Sequence, residues 1–156
     1  MKTTAKTILT LIVLALALSV CSCTQISTIT RDIGRAVEIG ETISELAKMP
    51  DKAAAMQEVE DLIHPKSTLN KETIVNQIKE NEAIKDLNIE DLSTVPITVG
   101  RFSTPKFKFG DEELGGNVYE VTVVITVAGV PLNTTILLLS DENGMGIYSF
   151  DVENAQ

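Results

Sequence analysis

The chain has few of the residues that build catalytic, metal and nucleic-acid sites. Its 156 residues include one histidine, two cysteines and no tryptophan, and only 4% are aromatic. One histidine is a poor basis for a zinc site, which needs several nitrogen or sulfur ligands. The formal net charge of -9 argues against DNA or RNA as a partner, because phosphate binding needs clustered lysine and arginine. The composition predicts one domain with no cofactor, no metal and no nucleic-acid partner.

A long hydrophobic run occurs once, at the N-terminus. Lys2 and Lys6 precede an almost unbroken apolar stretch at residues 8–20. That stretch is shorter than the ~20 residues of a membrane-spanning helix. A positive start, a short apolar region and small residues after it are typical of a secretory signal, which we place at residues 1–22. A buried N-terminal helix is the alternative interpretation.

The two cysteines lie where this apolar region ends. Cys21 and Cys23 are too close in sequence for an unstrained disulfide. The stretch resembles the lipobox of bacterial lipoproteins, in which aliphatic and small residues precede a lipid-modified cysteine. Cys23 follows Val20 and Ser22, whereas Cys21 has Val20 adjacent, where that family has Gly, Ala or Ser. The resemblance implies that Cys23, or alternatively Cys21, carries several acyl chains such as palmitate, which suffice for stable membrane anchoring. Val20 and Ser22 also suit ordinary signal peptidase, which would release a secreted protein.

Helical patterns fill the first half of the mature chain. Apolar residues recur at near-helical spacing over residues 24–49, so residues 23–49 form a helix and spacer before an α+β domain at residues 50–156. Asp51 is placed to cap a second helix that runs to His64. Asn70 is placed to cap a third helix that ends near Glu80.

The second half alternates with a period of two. Two short strands are predicted within residues 95–109, and a three-stranded antiparallel meander follows. A two-residue type II′ loop at Gly129 and Val130 would place Val127 opposite Leu132. The next turn is predicted to have an odd number of loop residues, because that length keeps one apolar face continuous across the meander.

These elements predict an α+β fold in which N-terminal helices pack on a curved antiparallel sheet that ends in the meander. Helices, then "HP", then a meander ending "GMGIYSFDV" resemble small envelope proteins of the NTF2-like or cystatin-like fold. Enzymes of that fold resemble one another in using a histidine with an aspartate in the cavity. In this chain only His64 could serve in that role.

His64 therefore has two interpretations. A catalytic histidine needs an orienting acid and a nucleophile, and Asp61 lies three residues before it. A polar residue at the end of a helix is the simpler explanation, since the helix dipole favours it there. Asp141, Glu142 and Asn143 are read as a tight turn rather than a calcium loop. We accordingly predict that the protein is not an enzyme.

One face of the predicted sheet is a candidate binding surface. Its members are Thr122, Val124, Leu137, Leu139 and Ile147. Such a half-polar face could line a pocket, lie under another helix or form a partner interface. The sequence therefore predicts an exported, lipid-anchored, non-enzymatic binding module of the cell envelope, whose partner is a small ligand or an envelope protein. The alternatives are a freely secreted effector and a small hydrolase or isomerase that uses His64 with a carboxylate.

Lipidation can be tested by intact mass spectrometry of the protein purified from the membranes of its own host. We expect a mature chain that begins at Cys23 and carries added acyl mass. An unmodified chain recovered from the medium would contradict the lipobox interpretation and favour free secretion.

Overall fold

The structure is a computed structural model that describes residues 27–111 and 113–154. Contacts divide the chain into a first unit, Met1–Asp32, and a second unit, Ile33–Gln156. In the first unit the described residues 27–32 are helical. The second unit contains helix α1 at residues 33–48, helices α2 and α3, and an antiparallel sheet. Helices first and a sheet last confirm the predicted α+β fold.

Local capping signals fix where α2 and α3 begin. The α2 helix spans Lys52–Glu60, and its N-cap Asp51 accepts a hydrogen bond from the Ala54 N–H at 3.0 Å. The α3 helix spans Lys71–Lys79 and begins with a capping box between Asn70 and Thr73. Such caps satisfy amide groups that have no partner within the helix. The two predicted caps are therefore confirmed, and short 3-10 turns follow at Lys85–Leu87 and Leu92–Thr94.

The α2 helix ends four residues before the predicted end at His64. Beyond it the chain extends beside the last strand, where Ile63 and Ile147 form a parallel bridge. The His64 N–H donates to the Ile147 carbonyl at 2.9 Å, and the Ile147 N–H donates to the Leu62 carbonyl at 2.8 Å. The His64 N–H and the Leu62 carbonyl, which would form helical hydrogen bonds in a longer α2, thus form hydrogen bonds with β5 instead.

Within the second unit, α1 packs through its small residues. Ala36 and Gly40 are buried, and a Cβ added at Gly40 would lie 3.1 Å from the Phe102 ring. Val37, which belongs to the apolar pattern that predicted the helix, is 42% exposed. The pattern identified the helix, and its member Leu46 is buried, but at the contact with Phe102 close approach to the aromatic ring selects small residues instead of large ones.

The sheet contains five strands in the described part of the chain. Strand β3 has two short neighbours on one side, β1 and β2, and the long strands β4 and β5 follow in order on the other. All pairs are antiparallel, so β3, β4 and β5 form the predicted meander. The strands are β1 Ile97–Val99, β2 Lys106–Asp111, β3 Gly116–Val127, β4 Val130–Asp141 and β5 Gly144–Asn154.

The β3–β4 hairpin differs from the prediction by two residues. Its loop is Ala128 and Gly129, and Val127 pairs with Val130 instead of Leu132. Both loop residues have positive φ, as a type I′ turn requires, and that turn matches the twist of the strands. Because side chains alternate with a period of two, a shift of two residues leaves the apolar face intact.

The β4–β5 turn is also shorter than predicted. Asp141 pairs with Gly144, so the loop has two residues and the predicted odd length is wrong. A bulge between Leu137 and Leu138 adds the residue that the loop lacks, and Ile136 then pairs with Phe150. The carbonyl of the extra residue, Tyr148, accepts a hydrogen bond from the Ser67 hydroxyl at 2.7 Å. The apolar face is therefore continuous, but a bulge and not the loop maintains it.

The core lies on one face of the sheet, which we call the core face. Helices α2 and α3 contact each other, α3 contacts β5, and Ile74 and Ile78 of α3 are buried. The Thr134 hydroxyl is buried there without a hydrogen-bond partner among the described residues. The buried sheet residues of the core face are Tyr119, Val121, Val123, Ile125, Val127, Leu132, Thr134, Ile136, Leu138, Ile147 and Phe150.

Gly146 allows the Leu62–His64 segment to reach β5. A Cβ at this position would lie 2.8 Å from the His64 nitrogen and 2.9 Å from the Leu62 carbonyl oxygen. Backbone atoms cannot rotate away as a flexible side chain can. The absence of a side chain at Gly146 is therefore a condition for this pairing.

We expect Gly146→Ala to lower the free energy of unfolding by about 2–3 kcal/mol, because the added methyl group would push two backbone segments apart. Chemical denaturation measures this change.

Gly34→Ala is the matched control, because nothing lies within 4 Å of its added Cβ and Gly34 is helical. It should raise stability by about 0.5–1 kcal/mol. Equal stability losses in the two variants would contradict the role given to Gly146.

Candidate functional site

The Asp141 carboxylate is the most heavily bonded side chain near the sheet's end. Its Oδ1 is 3.1 Å from the His64 Nε2 and accepts from the Asn143 N–H at 2.7 Å. Its Oδ2 is 2.7 Å from the Lys66 Nζ and 3.3 Å from the Asn143 Nδ2. The carboxylate thus receives four donors while its side chain is 0% exposed. We call Asp141, His64 and Lys66 the carboxylate clamp.

The hydrogen bonds of His64 assign its tautomer. The Lys66 backbone N–H donates to the His64 Nδ1 at 3.2 Å, so this nitrogen carries no proton. The proton is therefore on Nε2, which donates to Asp141. Both ring nitrogens are occupied by the protein itself, and the side chain is 1% exposed. In this arrangement His64 has no nitrogen left to bind or activate a substrate.

The clamp also sets the ionisation of its acid. The Lys66 ammonium holds the pKa of the Asp141 carboxyl well below its ordinary value, against the opposing effect of burial. The Asn143 N–H and His64 lower this pKa further. Hydrogen bonds and cations favour the charged form of a carboxyl group, and here they outweigh desolvation. Asp141 is accordingly a carboxylate throughout the neutral range.

The clamp corrects two expectations about His64. His64 does not end a helix, since α2 stops at Glu60, and its acid is Asp141 rather than Asp61. The turn predicted at Asp141 is observed, with the Asp141 side chain bonded to the amide two residues on. That the protein is not an enzyme stays a prediction.

The opposite face of the sheet is exposed along its middle rows, and we call it the open face. It contains a groove of about 480 Å³ whose walls include hydroxyl and amide side chains. Arg101 and Glu153 border the groove at opposite edges of this face, Arg101 beside β3 and Glu153 on β5. Its other members on this face are Ser103, Thr122, Val124, Asn133 and Thr135.

The structure separates the five residues of the predicted binding face. Thr122 and Val124 are exposed and line the groove, and Leu137 is half-buried on the same face. Leu139 is on that face but fully buried. Ile147 was placed wrongly, because the two-residue β4–β5 turn pairs it with Leu138 and turns it to the core face. The open face is thus narrower than the alternation predicted.

The predicted lipidation residues Cys21 and Cys23, and the predicted signal at residues 1–22, lie outside the described residues. Across the part of the chain that the structure describes, no helix combines the length and the apolar character that crossing a bilayer requires.

No family model, no curated protein and no solved structure matches this chain. The resemblances to lipoproteins and to the NTF2-like fold therefore stay predictions.

We expect Asp141→Asn to lower the free energy of unfolding by about 2–3 kcal/mol at neutral pH, because it removes the buried carboxylate that pairs with Lys66. Water partly screens the half-exposed Lys66 ammonium, which limits the loss. The low folded-state pKa of Asp141 means that its stabilisation is complete above the unfolded-state pKa of about 4 and is lost as the pH falls below it. The stability gap between wild type and variant should therefore shrink between about pH 5 and pH 2.

Chemical denaturation across this pH range measures the gap. Asp61→Asn is the matched control, because Asp61 is exposed. A gap of the same size at every pH, or an equal gap for the control, would contradict the role given to the clamp.

Proposed function

We propose that the protein is an exported, lipid-anchored binding module and that a protein partner docks on its open face. The observation that carries this proposal is the exposed groove between Arg101 and Glu153. Export and anchoring are supported by the apolar N-terminal run and by the lipobox-like residues around Cys23.

The shape of the groove favours a protein over a small ligand. Small-molecule sites usually enclose 70–90% or more of the ligand surface. Here Val124 at the groove is 42% exposed, and Thr122, Asn133 and Glu153 are exposed as well. A small molecule on this surface would stay in contact with water over much of its area. A protein surface can cover the whole face at once.

The chemistry of the face also fits a protein interface. Val124 supplies an apolar contact, and hydroxyl and amide groups of Thr122, Thr135 and Asn133 surround it. Arg101 and Glu153 add opposite charges at the two sides. Charged groups at the rim of a specific interface set the orientation of the partner.

Photo-crosslinking in the host tests this proposal. A photoreactive amino acid at Thr122 of the full chain should give one discrete protein adduct. The same amino acid at Gln57, an exposed position on α2, is the matched control and should not give it. No adduct at Thr122, or the same adducts from both positions, would contradict docking on the open face.

A further inference from the structure

The open face carries opposite charges at its two edges. Arg101 lies on the side of β1 and β2, and Asp151 and Glu153 lie on β5. Asp151 pairs with Thr135, and Glu153 with Asn133, so both acids share the face of the groove. Lys108 neutralises Glu120 at 2.9 Å, and Lys106, which pairs in register with Glu120, adds a positive charge on the side of Arg101.

The edge charges have no ion-pair partner in the described part of the chain. Strands β3 and β4 separate Arg101 from Glu153. At a spacing of about 4.8 Å per strand, the two edges are about 14 Å apart. Within one chain the opposite edges therefore cannot neutralise each other.

The positive and negative edges lie at the same height along the strands. Gly100 and Ser103, on either side of Arg101, donate to the carbonyls of Val124 and Thr122. Val124 pairs with Asn133, which pairs with Glu153. Arg101 and Glu153 thus flank the same rows of the sheet.

We propose that the partner on the open face is a second copy of this chain, related by a two-fold axis parallel to β3 and β4. This inference rests on the proposed function, because it identifies the protein partner of the same face. Such an axis preserves height and exchanges the edges. It therefore places Arg101 of each copy beside Glu153 of the other, twice in one interface. An axis across the strands would place like charges together.

The middle of the face fits the same arrangement. The axis passes between β3 and β4 and places Thr122 of one copy over Thr135 of the other. Val124 then covers the other copy's Asn133. These side chains are short, which suits two sheets packed face to face about 10 Å apart. The result is a polar pairing that depends on its charges and weakens as salt screens them.

Charge reversal tests the proposal in the full-length chain, purified from its host in detergent and counted by native mass spectrometry. Arg101→Glu alone and Glu153→Arg alone should each lower the dimer association constant by about tenfold, because each places like charges together twice. The double variant should associate as the wild type does. Mixing the two single variants should also give mixed dimers at wild-type strength, because both charge contacts are then opposite.

Arg35→Glu on α1 and Glu58→Arg on α2 are matched controls, since both residues are exposed and neither lines the groove. They should leave association unchanged. Thermal melting confirms that each variant is folded, and the mixing experiment restores pairing without any new mutation.

The outcomes separate the two proposals. Single variants that dimerise as the wild type does, or a mixture that stays monomeric, would overturn the second-copy proposal. If the chain is monomeric and Thr122 crosslinks to a different protein, this inference fails and the proposed function stands. If Thr122 gives neither adduct, both fail.

Discussion

The buried carboxylate of Asp141 is the interaction on which the arrangement of helices and sheet depends. Its four donors come from the turn after β4 and from the segment that follows α2. The clamp holds that segment against β5. Backbone hydrogen bonds and the absence of a side chain at Gly146 allow the close contact there. A buried charge is costly unless it is fully bonded, so these groups are stable only together. His64 and Asp141 thus join the segment that follows α2 to the turn after β4.

Local features were predictable because their causes are local. Asp51 and Asn70 cap helices through bonds to amides three residues away, and the alternation of β3 reports which side meets the core. The errors arose where distant parts compete for the same groups. The end of α2 was wrong because β5 takes the bonds of Leu62 and His64. The β4–β5 loop was wrong because the sequence does not mark the bulge at Tyr148.

In the candidate site, too, local patterns were predictable and contacts between distant parts of the chain were not. Thr122 and Val124 were placed on one face from periodicity alone, and that reasoning failed at Ile147, which lies between the two-residue turn and the bulge. The Asp141 partner of His64 was missed, although "SDENGMG" was recognised as a turn, because nothing in the spacing relates residue 64 to residue 141. The charged edges of the open face also emerge only from the strand order. Arg101 and Glu153 are distant in sequence, and the sheet makes them the two borders of one surface.

The long sequence separation across the clamp has a consequence for the order of folding. The meander is built from neighbouring strands joined by two-residue turns, so it forms from contacts of short range. Joining His64 to Asp141 closes a loop of 77 residues, which costs about 4 kcal/mol in chain entropy by the logarithmic rule. Such a contact is rewarded only once the strands are in place. We therefore expect the segment that follows α2 to dock late, onto a sheet that already exists.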